Sequence, residues 1–324
     1  MVDKLSLHCG FDIGGTKILG IAADYANLGS ADDFRPLAVR RMLVIEDSSA
    51  IVQSILKMVG ELESECGQSF SSVGVGIAGI VDREGVLRYS PNIQGVYDFE
   101  IRSILQTELG CPVVVENDCT AATWAESQIG AGRGSRYMAL VALGTGIGTG
   151  FVLDGKLYKG WNGFAGESGH MTVEQTGDKH LTGARGPWEY YVSGPGLRRL
   201  AQSAAARGDF GSAIERAGSV DAVQSEHVHS LIVDNDPRAM DLLDDFCRYT
   251  AVGVANLVHV LDPETVVIGG GLIDIGEQLV DGIRKWTFHY VLGGEYRPKV
   301  KVAAAQLASN AAAVGAGLLA ASSV

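Results

Sequence analysis

One plan of apolar run, glycine turn, apolar run and second turn occurs twice in the chain. It reads "LSLHCGFDIGGTKILGIAADYANLG" over residues 5–29 and "YMALVALGTGIGTGFVLDGKLYKG" over 137–160. Glycines let a backbone approach a ligand closely and leave N–H groups free to point at an anion. The first turn has neither the GxxxxGK[ST] spacing of a P-loop nor the GxGxxG of a dinucleotide fold. Its flanks, Phe11 and Ile13 before and Ile18, Leu19 and Ile21 after, predict strand, tight turn, strand. Either turn alone is equally an ordinary β-hairpin. Its recurrence suggests an internal duplication.

The intervening sequence alternates helix and strand signals. Residues 48–65 place Ile51, Ile55, Leu56, Val59 and Leu62 at helical spacing behind Ser/Asp caps. "SVGVGIAGIVD" (72–82) reads as a buried strand ending in a glycine turn, and "CPVVVEND" (111–118) as a strand running into a helix at "CTAATWAES". Such alternation indicates a mostly parallel α/β sheet. After the second copy come a glycine-rich segment (160–196) and a helical region with Ala201 to Ala206 near its start. A long helix around 237–260 stops before Asp262-Pro263, "ETVVIGGGL" (264–272) is strand then glycine turn, and "SNAAAVGAGLLAA" is a small-residue helix suited to close packing. At 324 residues two lobes are expected. The boundary falls near 130, giving 1–130 and 131–305, with a terminal helix over 306–324 that packs back on the first lobe.

Hydrophobic residues at 46% and charged residues at 20% describe a folded globular chain. A formal charge of −12 argues against nucleic acid and against anionic membrane as partners. The five cysteines, Cys9, Cys66, Cys111, Cys119 and Cys247, are odd in number and scattered, which fits reduced thiols in a cytoplasm. No signal peptide precedes the first strand, and no apolar run reaches the roughly 20 residues of a membrane span. A soluble, cytoplasmic protein is expected.

Six motifs together resemble the ROK family of sugar kinases, and within it the glucokinases of actinobacterial type. They are DIGGTK (12–17), END (116–118), LGTGIGTG (143–150), GFAGESGH (163–170), WEYYVSG (188–194) and VVIGGGL (266–272). The resemblance implies a two-lobed actin-like ATPase and sugar kinase fold, an α/β architecture of duplicated ribonuclease H-like domains with a central cleft. It implies ATP-dependent phosphorylation of a hexose at its 6-hydroxyl, with glucose the first substrate and an N-acetylhexosamine the alternative. By it Gly14, Gly15, Thr16 and Lys17 approach the transferring phosphate, and Asp12 organises Mg2+ through water. Gly144, Thr145 and Gly146 hold the phosphates from the other lobe, and Gly269, Gly270 and Gly271 let adenosine lie against backbone. A homodimer is also implied.

Phosphoryl transfer to a sugar hydroxyl needs in-line positioning, charge neutralisation and a carboxylate to accept the hydroxyl proton. Asp118 is the candidate base, although its place at a strand-to-helix junction equally suits a helix N-cap. The family pattern carries sugar binding to Gly79, Asn92, Asn117, Asp118, Glu167, His170 and Glu189. Read singly, His170 is equally a core histidine, and Glu167 and Glu189 solvated charges. Most relatives follow the GH motif with CxCGxxGCxE, whose cysteines join the histidine on a structural zinc. Here "HLTGARGPWE" (180–189) puts His180, Thr182 and Pro187 in those positions while Gly183, Gly186 and Glu189 keep the register. Tetrahedral zinc needs four ligands, of which His170 and His180 supply two, so no structural zinc is expected. The loop must then be held by packing, with Pro187, Trp188, Tyr190 and Tyr191 as anchors. A catalytically silent sugar sensor is a third reading. The family's repressors carry a DNA-binding domain ahead of the first glycine turn, and the 11 residues before Asp12 are too few for one.

Overall fold

A computed structural model describes residues 6–25, 28–43, 47–91, 93 and 96–324; Leu5 and the candidate Asn92 lie outside the described residues. The chain forms β1 (His8–Ile13), β2 (Lys17–Ala23), β3 (Ala38–Leu43), α1 (Ser48–Cys66), β4 (Ser72–Ile77), β5 (Ile80–Val81), β6 (Leu87–Tyr89), β7 (Tyr97–Phe99), α2 (Ile101–Leu109), β8 (Val113–Asn117) and α3 (Asp118–Gln128). It continues as β9 (Met138–Leu143), β10 (Ile147–Leu153), β11 (Lys156–Tyr158), α4 (Trp188–Tyr191), α5 (Gly194–Ala206), α6 (Gly211–Ala217), α7 (Ser225–Val233), α8 (Pro237–Leu261), β12 (Thr265–Gly269), α9 (Glu277–Tyr290), β13 (Lys301–Ala304) and α10 (Ala311–Ala321).

The duplication is visible in the strand order. One five-stranded sheet runs β3-β2-β1-β4-β8 and the other β11-β10-β9-β12-β13, so each glycine turn joins the second and third strands of its sheet. In the first, β2 is antiparallel to both β1 and β3, whereas β4 is parallel to β1 and to β8. In the second, β10 and β11 are antiparallel while β12 is parallel to β9 and β13. The short strands β5, β6 and β7 make a separate sheet.

Local chemistry sets the helix ends. Asp47 caps α1 by accepting from the Ala50 N–H at 2.9 Å, and Gly67 closes it at φ 69°. The buried stripe Ile51, Ile55, Met58, Val59 and Leu62 lies against Phe11, Ile13, Ile18, Val73 and Val75. Asp236 accepts from the N–H groups of Arg238 and Ala239, both at 2.9 Å, to start α8 at Pro237, and Asp262 ends it ahead of Pro263. One boundary differs from expectation. Ala201 to Ala206 close α5 rather than open it, because Ser193 accepts from the Gly196 N–H at 3.1 Å and Pro195 presets the first turn.

The chain divides into two compact units, 1–136 with 150–166 and 306–324, and 137–149 with 167–305. In unit 1, α10 lies almost on the backbone of the first sheet. A Cβ at Gly10 would stand 1.9 Å from the Ala313 carbonyl oxygen, and one at Gly74 would stand 1.9 Å from that of Ala316. Residues 150–166 belong to this unit through side-chain ties: Lys159 pairs with Glu116, and Arg83 Nε donates to the Trp161 carbonyl at 2.8 Å. Unit 2 is mostly helical around β9, β12 and β13, with Trp188, Phe246 and Val254 fully buried. Among the described residues no helix is long and apolar enough to cross a membrane.

Candidate active site

In unit 1 side chains alternate along β1, so Cys9, Phe11 and Ile13 enter the α1 core while Asp12 shares the opposite face with Gly10. The turn that follows is tight: Gly14 N–H donates to the Lys17 carbonyl at 3.0 Å, and Ile13 pairs with Ile18. Thr16 and Lys17 are exposed at its tip. Across the parallel strands Asp12 stands in register with Gly76, and Gly76 with Glu116. Asn117 and Asp118 therefore leave β8 one step beyond Asp12.

Asn117, not Asp118, caps α3. Its side-chain oxygen accepts from the Thr120 N–H at 2.9 Å, and its Nδ2 donates to the Gly79 carbonyl at 3.0 Å and to Asp118 Oδ1 at 3.0 Å. Asp118 Oδ1 also accepts from the Cys119 N–H at 2.9 Å. Gly79 meets Asn117 in a conformation open to glycine, with φ 137° and the Tyr89 carbonyl oxygen 2.4 Å from where a Cβ would be. Burial raises the pKa of Asp118 above the ordinary carboxylate range, against hydrogen bonds that lower it. Burial, and then the charge of Asp118, push Asp12 from 3.8 up to about 7. Two half-buried carboxylates, one raising the other's proton affinity, form a donor set short of positive charge, which fits a hard cation such as Mg2+. Sequence reasoning passed over Glu116 and Lys159; Glu116 is 2% exposed and pairs with Lys159. Its signal was its place in the END motif.

In unit 2 the turn Gly144–Gly146 is clamped from three sides. Gly144 N–H donates to the Gly146 carbonyl at 2.9 Å, and the Gly194 N–H at the start of α5 donates to the Gly144 carbonyl at 2.8 Å. Glu189 Oε2 accepts from the Ile147 N–H at 2.8 Å and lies 2.3 Å from where a Cβ on Gly146 would be. Thr145 is exposed at the tip. Gly270, at φ 81°, closes on the same strand end: its Cβ would fall 2.3 Å from the Leu143 carbonyl oxygen. Gly269 and Gly271 flank it, buried and exposed respectively. The third glycine motif thus lies beside the second.

Loop 167–189 joins this cluster. Exposed His170 is 3.7 Å from Glu167, His180 is 3.6 Å from Glu189, and the two imidazole centroids are 6.2 Å apart. Thr182 hydrogen-bonds His180 Nδ1 at 2.9 Å. The aromatic anchors all engage. Trp188 is fully buried against Gly253 and donates to the Tyr249 carbonyl at 3.2 Å, Tyr191 stacks on Tyr249 at 5.1 Å, and Tyr190 donates to Asp178 at 3.1 Å. Backbone bonds from Val173 to Gly186 (2.9 Å) and from Trp188 to Met171 (2.8 Å) tie the loop's two ends together. Among the described residues no three His, Cys, Asp or Glu side chains gather as a metal-holding group.

The ROK family profile matches residues 8–323. The chain belongs to the ROK family. It is 34% identical to a glucokinase of Streptomyces coelicolor, over 98% of each chain. It is 31% identical to the N-acetylgalactosamine kinase AgaK of a Shewanella species, over 96% of this chain and 97% of that one. The solved ROK glucokinase of Streptomyces griseus, in complex with glucose and AMPPNP, superposes with a TM-score of 0.83 at 35% identity, covering 98% of this chain and 99% of that one. The fold is accordingly the actin-like ATPase and sugar kinase fold expected from the motifs. The ROK motifs resolve into two side-chain groups: Asp12, Gly14–Lys17, Gly79, Asn117 and Asp118 in unit 1, and Gly144–Gly146, Glu167, His170, Glu189 and Gly269–Gly271 in unit 2.

Proposed function

We propose that this ROK chain is an ATP-dependent hexose 6-kinase whose first substrate is glucose. The observation that carries the reading is Asp118, half-buried at the start of α3 just past β8, with Asn117 taking over the cap that would otherwise occupy it. The likeness to a glucokinase solved with glucose and an ATP analogue supports the substrate pair.

In the reaction the sugar 6-oxygen attacks the γ-phosphorus, an O–P bond forms, and the bond from that phosphorus to the ADP oxygen breaks. The hydroxyl proton passes to a carboxylate oxygen of Asp118. A carboxylate is a weak base toward an alcohol, so transfer belongs late, as bond formation acidifies the hydroxyl; burial strengthens the base. Asn117 orients Asp118 Oδ1 by direct donation. Gly79, Asn92, Asn117, Glu167, His170 and Glu189 bind sugar hydroxyls, where unpaired polar groups discriminate against the wrong ring. Gly14, Gly15, Thr16 and Lys17 attend the transferring phosphate. Gly144, Thr145 and Gly146 take the other phosphates, and Gly269 to Gly271 the adenosine. Asp12 would hold Mg2+ through water, and the ion when bound would neutralise phosphate charge. The loop works without structural zinc, the two units act as the kinase's two lobes, and the protein is a cytoplasmic homodimer.

Similarity to an N-acetylgalactosamine kinase favours one second reading, an N-acetylhexosamine kinase. ADP release from Mg-ATP against glucose, mannose, fructose, N-acetylglucosamine, N-acetylgalactosamine and N-acetylmannosamine decides between them. Highest kcat/KM on glucose is expected. Preference for an acetylated sugar selects the second reading, and sugar binding without turnover on any sugar selects the silent sensor.

A further inference from the structure

The ion pair between Lys159 and Glu116 stands one residue from the sugar-binding Asn117. Glu116 is 2% exposed, and each of its carboxylate oxygens has a task. Oε2 meets the Lys159 ammonium, and Oε1 accepts from the Asn117 backbone N–H at 3.1 Å. Lys159 follows β11, and its carbonyl accepts from the Ala165 N–H at 3.1 Å, closing the loop 159–165. Arg83 holds the same loop through the carbonyls of Gly160 and Trp161.

Stability is a weak reason for such a pair, since desolvating two charges offsets much of their attraction and an apolar pair of similar volume often does as well. Geometry is the stronger reason. A fixed carboxylate on the Asn117 amide sets where the strand ends, and from that end Asn117 reaches the Gly79 carbonyl and Asp118 Oδ1. We propose that Lys159 is a positioning residue for phosphoryl transfer: through Glu116 it fixes the strand end that presents Asn117 and Asp118, and through its backbone it couples that end to the loop 159–165. This rests on the kinase reading above.

The test is steady-state kinetics and thermal unfolding of the full chain as wild type, Lys159→Met, Lys159→Arg, Glu116→Gln and the Lys159→Met/Glu116→Gln double variant. Lys159→Met lowers kcat about 10²-fold, the scale of a base displaced by about 1 Å. KM for ATP stays within about twofold, the pattern of an interaction needed in the transition state. Lys159→Arg, which keeps the charge, recovers at least about tenfold of that loss. The double variant turns over faster than Lys159→Met, because the damage is a lone buried charge. Equal kcat for wild type and Lys159→Met, with only the melting temperature lowered, overturns the proposal. If Lys159→Met does not fold, Glu116→Gln decides, and its kcat must fall for the proposal to stand. Absence of turnover in the wild type overturns the kinase reading instead.

Discussion

In unit 1 the strand that enters the glycine turn ends Asp12-Ile13 before Gly14, and β8, at the edge of the sheet, ends Glu116-Asn117 before Asp118. In unit 2 the corresponding strand ends Ala142-Leu143 before Gly144, and the corresponding edge strand β13 ends Ala303-Ala304. The backbones agree further: β4 and β12 are each followed or ended by a left-handed glycine pressed on a neighbouring carbonyl, Gly79 at φ 137° and Gly270 at φ 81°. One duplicated frame thus makes the same turns twice, while the carboxylates Asp12, Glu116 and Asp118 gather at the strand ends of only one sheet. The carboxylate nearest the second turn, Glu189, comes from α4 outside the sheet, and one of its oxygens is already engaged by the Ile147 N–H. On the proposed reading, the proton acceptor lies in unit 1 and the adenosine and remaining phosphates are held in unit 2.

The contrast breaks most sharply at Asp118. Asp118→Asn removes the proton acceptor and keeps the shape, so kcat falls about 10³-fold, within the usual range for a general base. Sugar affinity, read by equilibrium binding, changes little; turnover near the wild-type rate sinks the role. The two left-handed glycines come next. Alanine at Gly270 or Gly79 forces a Cβ into a carbonyl oxygen 2.3 Å or 2.4 Å away at positive φ, and each variant loses about 1–3 kcal/mol of stability in urea unfolding. Gly270→Ala raises KM for ATP and Gly79→Ala raises KM for sugar. If both move the same constant, the division of labour between the units is wrong.

The frame was legible because its signals are local. Turn glycines, period-two strands, the stripe of α1 and the Asp-Pro stop of α8 all act within a few residues. Asp12, Asn117 and Asp118 were legible as motif members, yet which of the last two caps α3 was not, since either residue type can. Glu126 shows why the remainder stayed hidden. This carboxylate, in α3 and fully buried, accepts from the N–H groups of Gln306 (2.9 Å), Leu307 (2.8 Å) and Ala131 (2.8 Å). Two of those partners come from the opposite end of the chain, and nothing around residue 126 announces them. Lys159 and Glu116 also pair between residues far apart in sequence, though over a shorter gap. Short elements such as α4 and β5 to β7 are fixed by tertiary packing more than by their own sequence.

Asp12 has no acidic counterpart at Ala142, so the two sheets should respond differently to pH. Its pKa rises from 3.8 to about 7 on folding, so between those values the folded chain keeps a proton that the unfolded chain has released. Stability from this group is fully present below about pH 4, is lost as pH rises toward 7, and is then constant. At roughly 1.4 kcal/mol per pKa unit, discounted because Asp12 is partly exposed, the loss is about 1–2 kcal/mol. Asp12→Asn, measured by urea unfolding without nucleotide at pH 5 and pH 8, should lose that decline and be the more stable protein at pH 8. Parallel profiles for the two proteins would refute the assignment.

The smallest expected effect is that of removing zinc. Where thiolates hold a loop, the metal contributes on the order of 10 kcal/mol to its folding, and chelation collapses it. In the 180–189 stretch Thr182 and Pro187 offer no thiolate, and the loop is tied instead by buried Trp188, the Tyr191–Tyr249 stack and the backbone bonds at its two ends. Purification without added metal should yield substoichiometric zinc by elemental analysis, and a zinc chelator with excess Mg2+ should leave turnover and melting temperature unchanged. Loss of activity restored by zinc would mean that His170 and His180, 6.2 Å apart between ring centroids, share a metal after all. An unchanged rate would instead make the aromatic anchors the thing to remove, and Trp188→Ala should then raise KM for sugar through Glu189, the next residue in α4.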